Sequence, residues 1–292
     1  DDVTGAICQG LSFIPGCDQV QETAHLGVSQ GLIRGDLGMA LKLRGRTVND
    51  LVKESFPISF QLGMIAMSLA VAIGLPAGII SALRQNSWID YSSSFVAVIG
   101  LSIPSLVLGP LLIWIFPLTL GQMFPELFGW IPIATWGAKP PFFLGIFPTS
   151  LGPEFWAHAL LPAIALGTAF SAAIARLTRA SLLQVIREDY IRTARAKGLR
   201  EQMVVLRHAL KNSLIPVVTI LGPAFAALVT GTFIVEQIFG INGMGKHFVT
   251  SVGNRDYQII TGVTLIYAIF LVIANLLVDI TYAVLDPRIR YD

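Results

Sequence analysis

Residues 181–216 read SLLQVIREDYIRTARAKGLREQMVVLRHALKNSLIP. The first half carries a stripe at helical spacing, which predicts an amphipathic helix: Leu182, Leu183, Ile186, Tyr190 and Ala194. Gly198 follows a basic turn and is predicted to end that helix. A second helix is predicted over 200–211, with one apolar face formed by Met203, Leu206 and Leu210. The stretch is therefore predicted to be two short helices with a basic face and an apolar stripe, which suit a docking partner.

Long apolar runs flank this stretch on both sides. Each run reaches the roughly 20 residues that a membrane helix needs: 57–83, 94–120, 157–177, 213–239 and 259–285. Charged residues make up only 13% of the chain, against about 25% in soluble domains. The sequence therefore predicts an all-α polytopic membrane protein with five transmembrane helices. Gly74 and Gly78, four residues apart, predict a close helix contact in the first run.

The placement of lysine and arginine predicts the orientation in the membrane. Basic residues concentrate in 181–212 and just before it: Arg176, Arg179, Arg187, Arg192, Arg195, Lys197, Arg200, Arg207 and Lys211. The stretch 121–156 holds only Lys139. We therefore expect 181–212 to be cytoplasmic, and 121–156 and 1–56 to be extracytoplasmic. Because no apolar run precedes 1–56, we expect a further N-terminal helix to be missing from this numbering, which would give six crossings.

The reactive side chains give little support for a metal or redox site. Cys8 and Cys17 lie in the predicted outer segment, where a disulfide is permitted and two free thiols are the alternative. They do not form a C-x-x-C pattern. The four histidines are scattered along the chain: His25, His158, His208 and His247. The net charge of +2 gives no reason to expect a nucleic-acid partner.

The stretch Tyr190-Ile-Arg-Thr-Ala-Arg-Ala-Lys-Gly198, followed by His208-Ala-Leu-Lys-Asn212, resembles the loop signature of binding-protein-dependent ABC importer permeases. More narrowly, it resembles the B-type subunit of the oligopeptide/dipeptide branch, which lacks the glutamate of the general signature, as this chain does. Further matches lie at 46–51, 240–245, 254–257 and 279–291. The resemblance covers nearly everything after residue 30.

This resemblance implies a type I permease fold over 57–292 in a bacterial plasma (inner) membrane. It also implies that the chain is not an enzyme and that ATP hydrolysis takes place on a separate subunit. A second homologous permease would complete the path, one or two cytoplasmic ATPase subunits would hold ATP and Mg²⁺, and an external binding protein would deliver substrate. The chain itself would need no cofactor and would contact lipid. Its ATPase-coupling residues would be Tyr190, Arg192, Thr193, Ala194, Ala196, Lys197, Gly198 and His208.

Polar residues in or near the spans are further candidates, because a carboxylate in lipid is unfavourable. Glu236, Asn275 and Asp279 could line a path or serve a structural role. The stretch Gly240–His247 matches the start of a phosphate-binding loop but has His247 where a magnesium-binding hydroxyl is required. We interpret it as a turn-rich outer loop.

Two other function classes fit the sequence less well. An ion-gradient-driven transporter would need midplane carboxylates and usually internal repeats, and an intramembrane enzyme would need a nucleophile and base within the spans. Within the importer family, nickel, glutathione and oligosaccharides are alternatives to peptides.

Overall fold

A computed structural model describes residues 35–43, 45–133, 142–143, 147–148, 153–229 and 233–285. The predicted disulfide and most of the outer segment 1–56 lie outside these ranges. The first part consists of α1 (Val48–Leu83), α2 (Trp88–Ser102), α3 (Ser105–Ile113), a π-helix π1 (Trp114–Leu120), α4 (Gly121–Met123) and α5 (Pro125–Phe128). Two strands of two residues each follow, and β1 (Phe142–Phe143) pairs antiparallel with β2 (Phe147–Pro148).

The second part begins with the long α6 (Pro153–Val185) and α7 (Asp189–Ala196). A compound helix follows: α8 (Glu201–Met203), π2 (Val204–Ala209) and α9 (Leu210–Ser213). The chain continues as α10 (Ile215–Val229), α11 (Phe233–Ile238), α12 (Met244–Asn254) and α13 (Tyr257–Leu285).

Four helical stretches of the described chain are long and apolar enough to cross a membrane: Val48–Leu83, Ser105–Met123, Phe155–Val185 and Tyr257–Thr281. A fifth candidate is the pair Glu201–Ser213 and Ile215–Leu228, which is bent by 49° at its break. The predicted all-α architecture with up to five spans is confirmed.

Several boundaries differ from the predicted runs for local reasons. The helix predicted from 57 begins at Val48, because Thr47 and Asp50 form a reciprocal cap at its N-terminus. The run 94–120 is divided into two helices at Ile103, which is extended because Pro104 disfavours helical geometry in the residue before it. The run 213–239 forms α10 and the separate α11.

Among the described helices, α1 and α6 share the most extensive contact. A Cβ placed at Gly74 would lie 2.5 Å from the carbonyl oxygen of Ser171, and one at Gly78 would lie 2.5 Å from that of Ala175. Both glycines are buried. The close contact predicted from their spacing is therefore confirmed, and it fixes α1 on α6, the helix that leads into residues 181–216.

Candidate functional site

The connecting segment, residues 186–214, joins α6 to α10. Its first helix, α7, ends at Ala196 with Lys197 as the C-cap residue, and Gly198 follows with φ of +74°. The backbone N–H of Gly198 donates to the carbonyl of Arg195 at 2.9 Å. A left-handed glycine just past the last turn is a common way to end a helix, so the predicted stop at Gly198 is confirmed.

The first predicted helix is not continuous. α6 runs out of the bundle to Val185, and a turn at 186–188 separates it from α7. The predicted stripe is therefore divided between two helices, with Leu182 on α6 and Ala194 on α7. Both are buried, whereas Tyr190 is exposed.

The second predicted helix is interrupted by π2. A π-turn shifts the residues that share a helix face, because its hydrogen bonds span five residues instead of four. Val204, Val205 and Ala209 are consequently buried, while the exposed fractions of Met203 and Leu206 are 46% and 65%. Leu206 and Met203 thus form an outward apolar surface instead of a packed stripe.

A buried cluster fastens the connecting segment to the bundle. Ile191 and Ala194 of α7 and Val204 of π2 pack with Leu182 of α6 and Ala82 of α1. Burial of these side chains is favourable, at about 25 cal/mol per Å² of apolar surface. The segment is therefore packed on the ends of both α1 and α6.

Polar contacts brace the turn at Gly198. Arg195 donates from Nε and Nη2 to the Glu201 carboxylate, at 3.1 and 2.7 Å. The hydrogen bonds from Arg195 lower the pKa of Glu201, and the same bonds raise the pKa of the Arg195 guanidinium. Farther along, the Asn212 side-chain amide donates to the Tyr190 hydroxyl at 2.9 Å. Both contacts join α7 to the compound helix that follows.

The structure sorts the predicted coupling residues into two groups. Ala194 is buried, and His208 is half-buried. The other six predicted coupling residues are exposed: Tyr190, Arg192, Thr193, Ala196, Lys197 and Gly198. Together with the exposed Met203 and Leu206, they make up what we call the coupling face. Its mixture of cations and apolar side chains is suited to binding another protein.

Glu236 is fully buried and anchors the loop between α11 and α12. Its carboxylate accepts from Ser59 Oγ and from the Lys246 backbone N–H, both at 2.9 Å. Ser59 Oγ in turn accepts from the Met244 N–H at 2.9 Å. A Cβ at Gly243 would lie 2.5 Å from Glu236 Oε1, so only glycine fits there.

This anchor supports the rejection of a nucleotide site at Gly240–His247. A phosphate-binding loop needs free backbone N–H groups, but those of Met244 and Lys246 are bonded to Ser59 and Glu236. For Glu236, the described contacts are those of a structural anchor. Asn275 and Asp279 are exposed on α13 of this chain, and their role in a path stays a prediction.

Sequence reasoning missed an ion pair close to the connecting segment, in which the carboxylate is buried and the arginine side chain is 31% exposed. Asp90 at the start of α2 binds Arg179 of α6, with Nε to Oδ1 at 2.6 Å and Nη2 to Oδ2 at 2.8 Å. In the sequence, Arg179 stands only as one of the basic residues that predict orientation. The sequence does show an acidic residue three positions after the helix cap Ser87. This local spacing does not reveal that its partner lies 89 residues away.

Comparison with known proteins decides the family. The family model described as "Binding-protein-dependent transport system inner membrane component" matches residues 74–291. The chain belongs to this family. It is thus an inner-membrane transport permease, and the family predicted from residues 190–212 is confirmed.

Individual relatives agree with this membership. The dipeptide transport system permease protein DppB of Bacillus subtilis is 43% identical over 89% of this chain and 77% of its own length. The oligopeptide transport system permease protein OppB of Escherichia coli K12 is 40% identical over 92% of this chain and 80% of its own. The glutathione transport system permease protein GsiC of Pectobacterium atrosepticum is 40% identical over 89% and 76%.

Solved structures share the fold of this permease. A chain of the MetNI methionine ABC transporter, in inward-facing conformations, aligns with a TM-score of 0.58. It covers 82% of this permease and 97% of its own length at 17% identity. At that identity the likeness concerns the fold, and it confirms the predicted ABC importer permease architecture.

Proposed function

We propose that this permease is the membrane subunit of an ATP-driven, binding-protein-dependent importer of peptides. It forms half of the translocation path, and a second homologous permease forms the other half. Cytoplasmic ATPase subunits hold ATP and Mg²⁺ and drive alternating access, while an extracytoplasmic binding protein delivers the substrate. The chain performs no ATP chemistry of its own.

The observation that carries the proposal is the connecting segment. Its inner side is packed on α1 and α6 through Leu182 and Ala82, and its outer side exposes Arg192, Lys197 and Leu206. A rigid segment of this kind can transmit the movement of a docked ATPase to the spans, because packed interfaces shift as units and deform little. Peptides are the favoured substrate class because DppB and OppB are named for dipeptide and oligopeptide transport.

Uptake into reconstituted vesicles tests this function. We expect accumulation of a labelled di- or oligopeptide only when the binding protein and both permeases are present and ATP reaches the ATPase subunits. Ionophores that collapse ion gradients should leave the uptake unchanged. Uptake driven by an imposed ion gradient without ATP would contradict the proposal. If glutathione or Ni²⁺ competes for uptake and peptides do not, the chain would still be an importer subunit, but its substrate class would not be peptides.

The proposed orientation places the connecting segment in the cytoplasm and α12 outside, and thiol labelling tests it. In a background with Cys8→Ser and Cys17→Ser, we expect a membrane-impermeant reagent to label Gly253→Cys in intact cells. Arg200→Cys should react only after permeabilisation. Both positions are exposed, so the difference reports the side of the membrane. Labelling of Arg200→Cys from outside would reverse the orientation and remove the ATPase docking site.

A further inference from the structure

The Asp90–Arg179 pair lies at the centre of a polar network that joins three helices. Asp90 is 1% exposed, and its carboxylate accepts two hydrogen bonds from the guanidinium of Arg179. Ser81 Oγ of α1 donates to Asp90 Oδ1 at 2.5 Å, and the Asn86 backbone N–H donates to Oδ2 at 3.0 Å. One carboxylate thus connects α1, the turn after it, α2 and α6.

This network is contiguous with the cluster that holds the connecting segment. On α6, Leu182 follows Arg179 by three residues, which places it on the same side of the helix one turn later. On α1, Ala82 is the residue after Ser81. Leu182 and Ala82 both belong to the cluster that buries Ile191. A displacement of α7 would therefore be transmitted through this cluster to the ends of α1 and α6, which Asp90 holds together.

The Asp90–Arg179 ion pair makes the contact between α2 and α6 rigid. A buried carboxylate strongly requires its cation, because breaking a buried pair leaves an uncompensated charge. The planar guanidinium also fixes the angle of approach through two parallel hydrogen bonds. The turn between α1 and α2 is tightly held as well, with Asn86 in the left-handed region at φ of +61°. Rotation of α2 relative to α6 would break several of these bonds at once.

We propose that Asp90 and Arg179 are positioning residues that couple ATPase closure to movement of α2. They make the adjoining ends of α1, α2 and α6 move as one body with the connecting segment. This inference rests on the proposed function and assigns the coupling step to a named contact. Without it, docking and ATP hydrolysis would continue, but less of the movement would reach α2.

The test separates stability from coupling by replacing both partners together. Substituting a whole buried ion pair with apolar residues is often neutral for stability, whereas removing one partner is not. In the reconstituted importer, we expect Asp90→Leu/Arg179→Met to be assembled and to hydrolyse ATP. The number of peptides transported per ATP should fall at least about fivefold, the lower end of typical coupling effects.

A matched control and a milder variant complete the test. The pair Arg46–Glu54, with a separation of 2.6 Å and side chains 41% and 50% exposed, lies at the opposite end of α1. Arg46→Met/Glu54→Leu should leave transport per ATP unchanged. Arg179→Lys keeps the charge and loses the fork, so it should lower the same ratio without loss of the protein.

The outcomes that overturn the inference are specific. A wild-type transport ratio in Asp90→Leu/Arg179→Met would show that the pair is only structural. If that double variant does not accumulate in the membrane, an unchanged ratio in Arg179→Lys overturns the inference instead. The wild-type complex is measured in the same assay. Absence of ATP-dependent uptake there would contradict the proposed function, and the coupling role of the pair with it.

Discussion

Gly198→Val is expected to abolish ATP-dependent uptake while the permease remains inserted at normal abundance. Gly198 has φ of +74°, a conformation that costs about 1–3 kcal/mol for residues with a side chain and is a marked outlier for β-branched ones. Nothing lies within 4 Å of a Cβ at this position, so the effect comes from backbone geometry. Relief of the strain would turn the helix that carries Glu201 away from Arg195 and distort the coupling face.

Two controls isolate the backbone effect. Gly198→Asn adds a side chain, but asparagine visits the left-handed region more readily than most residues, so this variant should retain most of the uptake. Gly253→Val lies in α12, where a Cβ also meets nothing within 4 Å, and should behave as wild type. The measurements are peptide uptake and recovery of the ATPase on pull-down. Full uptake by Gly198→Val with the ATPase still bound would show that the connecting segment is an ordinary connector.

Local signals in the sequence were sufficient for some features of the site. Gly198 could be identified because a glycine after a basic last turn is a common helix end. A close helix contact of α1 followed from Gly74 and Gly78, since two small residues four apart lie on one helix face, but the identity of its partner α6 did not. Both features depend on a few neighbouring residues, which is why a single sequence reveals them.

Other features depend on contacts that no local pattern encodes. The π2 turn brings Val204 and Val205 inward, while the regular period of an α-helix predicted that Met203 and Leu206 would share a face with Leu210. The break at Ile103 arises from Pro104, yet prolines inside membrane helices are often tolerated, so the sequence alone did not decide it. Of these two differences, the π2 turn changed which residues form the coupling face.

Pairings across the fold were the hardest to predict. Asp90 and Arg179 are separated by 89 residues, and Glu236 reaches Ser59 over 177. Hydropathy identifies the helices that carry these side chains but gives neither the neighbour of each helix nor its rotation. The family resemblance identified residues 190–198, whose motif is local, and gave no partner for Asp90. The buried polar contacts therefore required the three-dimensional structure.

Gly78→Val is expected to cause a large loss of stability. Even the Cβ of an alanine would lie 2.5 Å from the Ala175 carbonyl oxygen and 2.7 Å from the Thr178 Cβ. Thr178 is fully buried, so neither neighbour can move without separating α1 from α6. Overpacking typically costs about 1–3 kcal/mol. The two further methyl groups of valine should prevent the helices from packing.

A graded series distinguishes overpacking from an effect on the helix itself. Alanine favours a helix by about 1 kcal/mol over glycine, so any destabilisation by Gly78→Ala must come from the α1–α6 contact. We expect a lower unfolding temperature in detergent for Gly78→Ala and little membrane-inserted protein for Gly78→Val. Gly253→Ala, with open space around its Cβ, should be neutral or slightly stabilising. Equal unfolding temperatures for Gly78→Ala and wild type would contradict the close α1–α6 packing, which also holds Ser81 and Arg179 in place around Asp90.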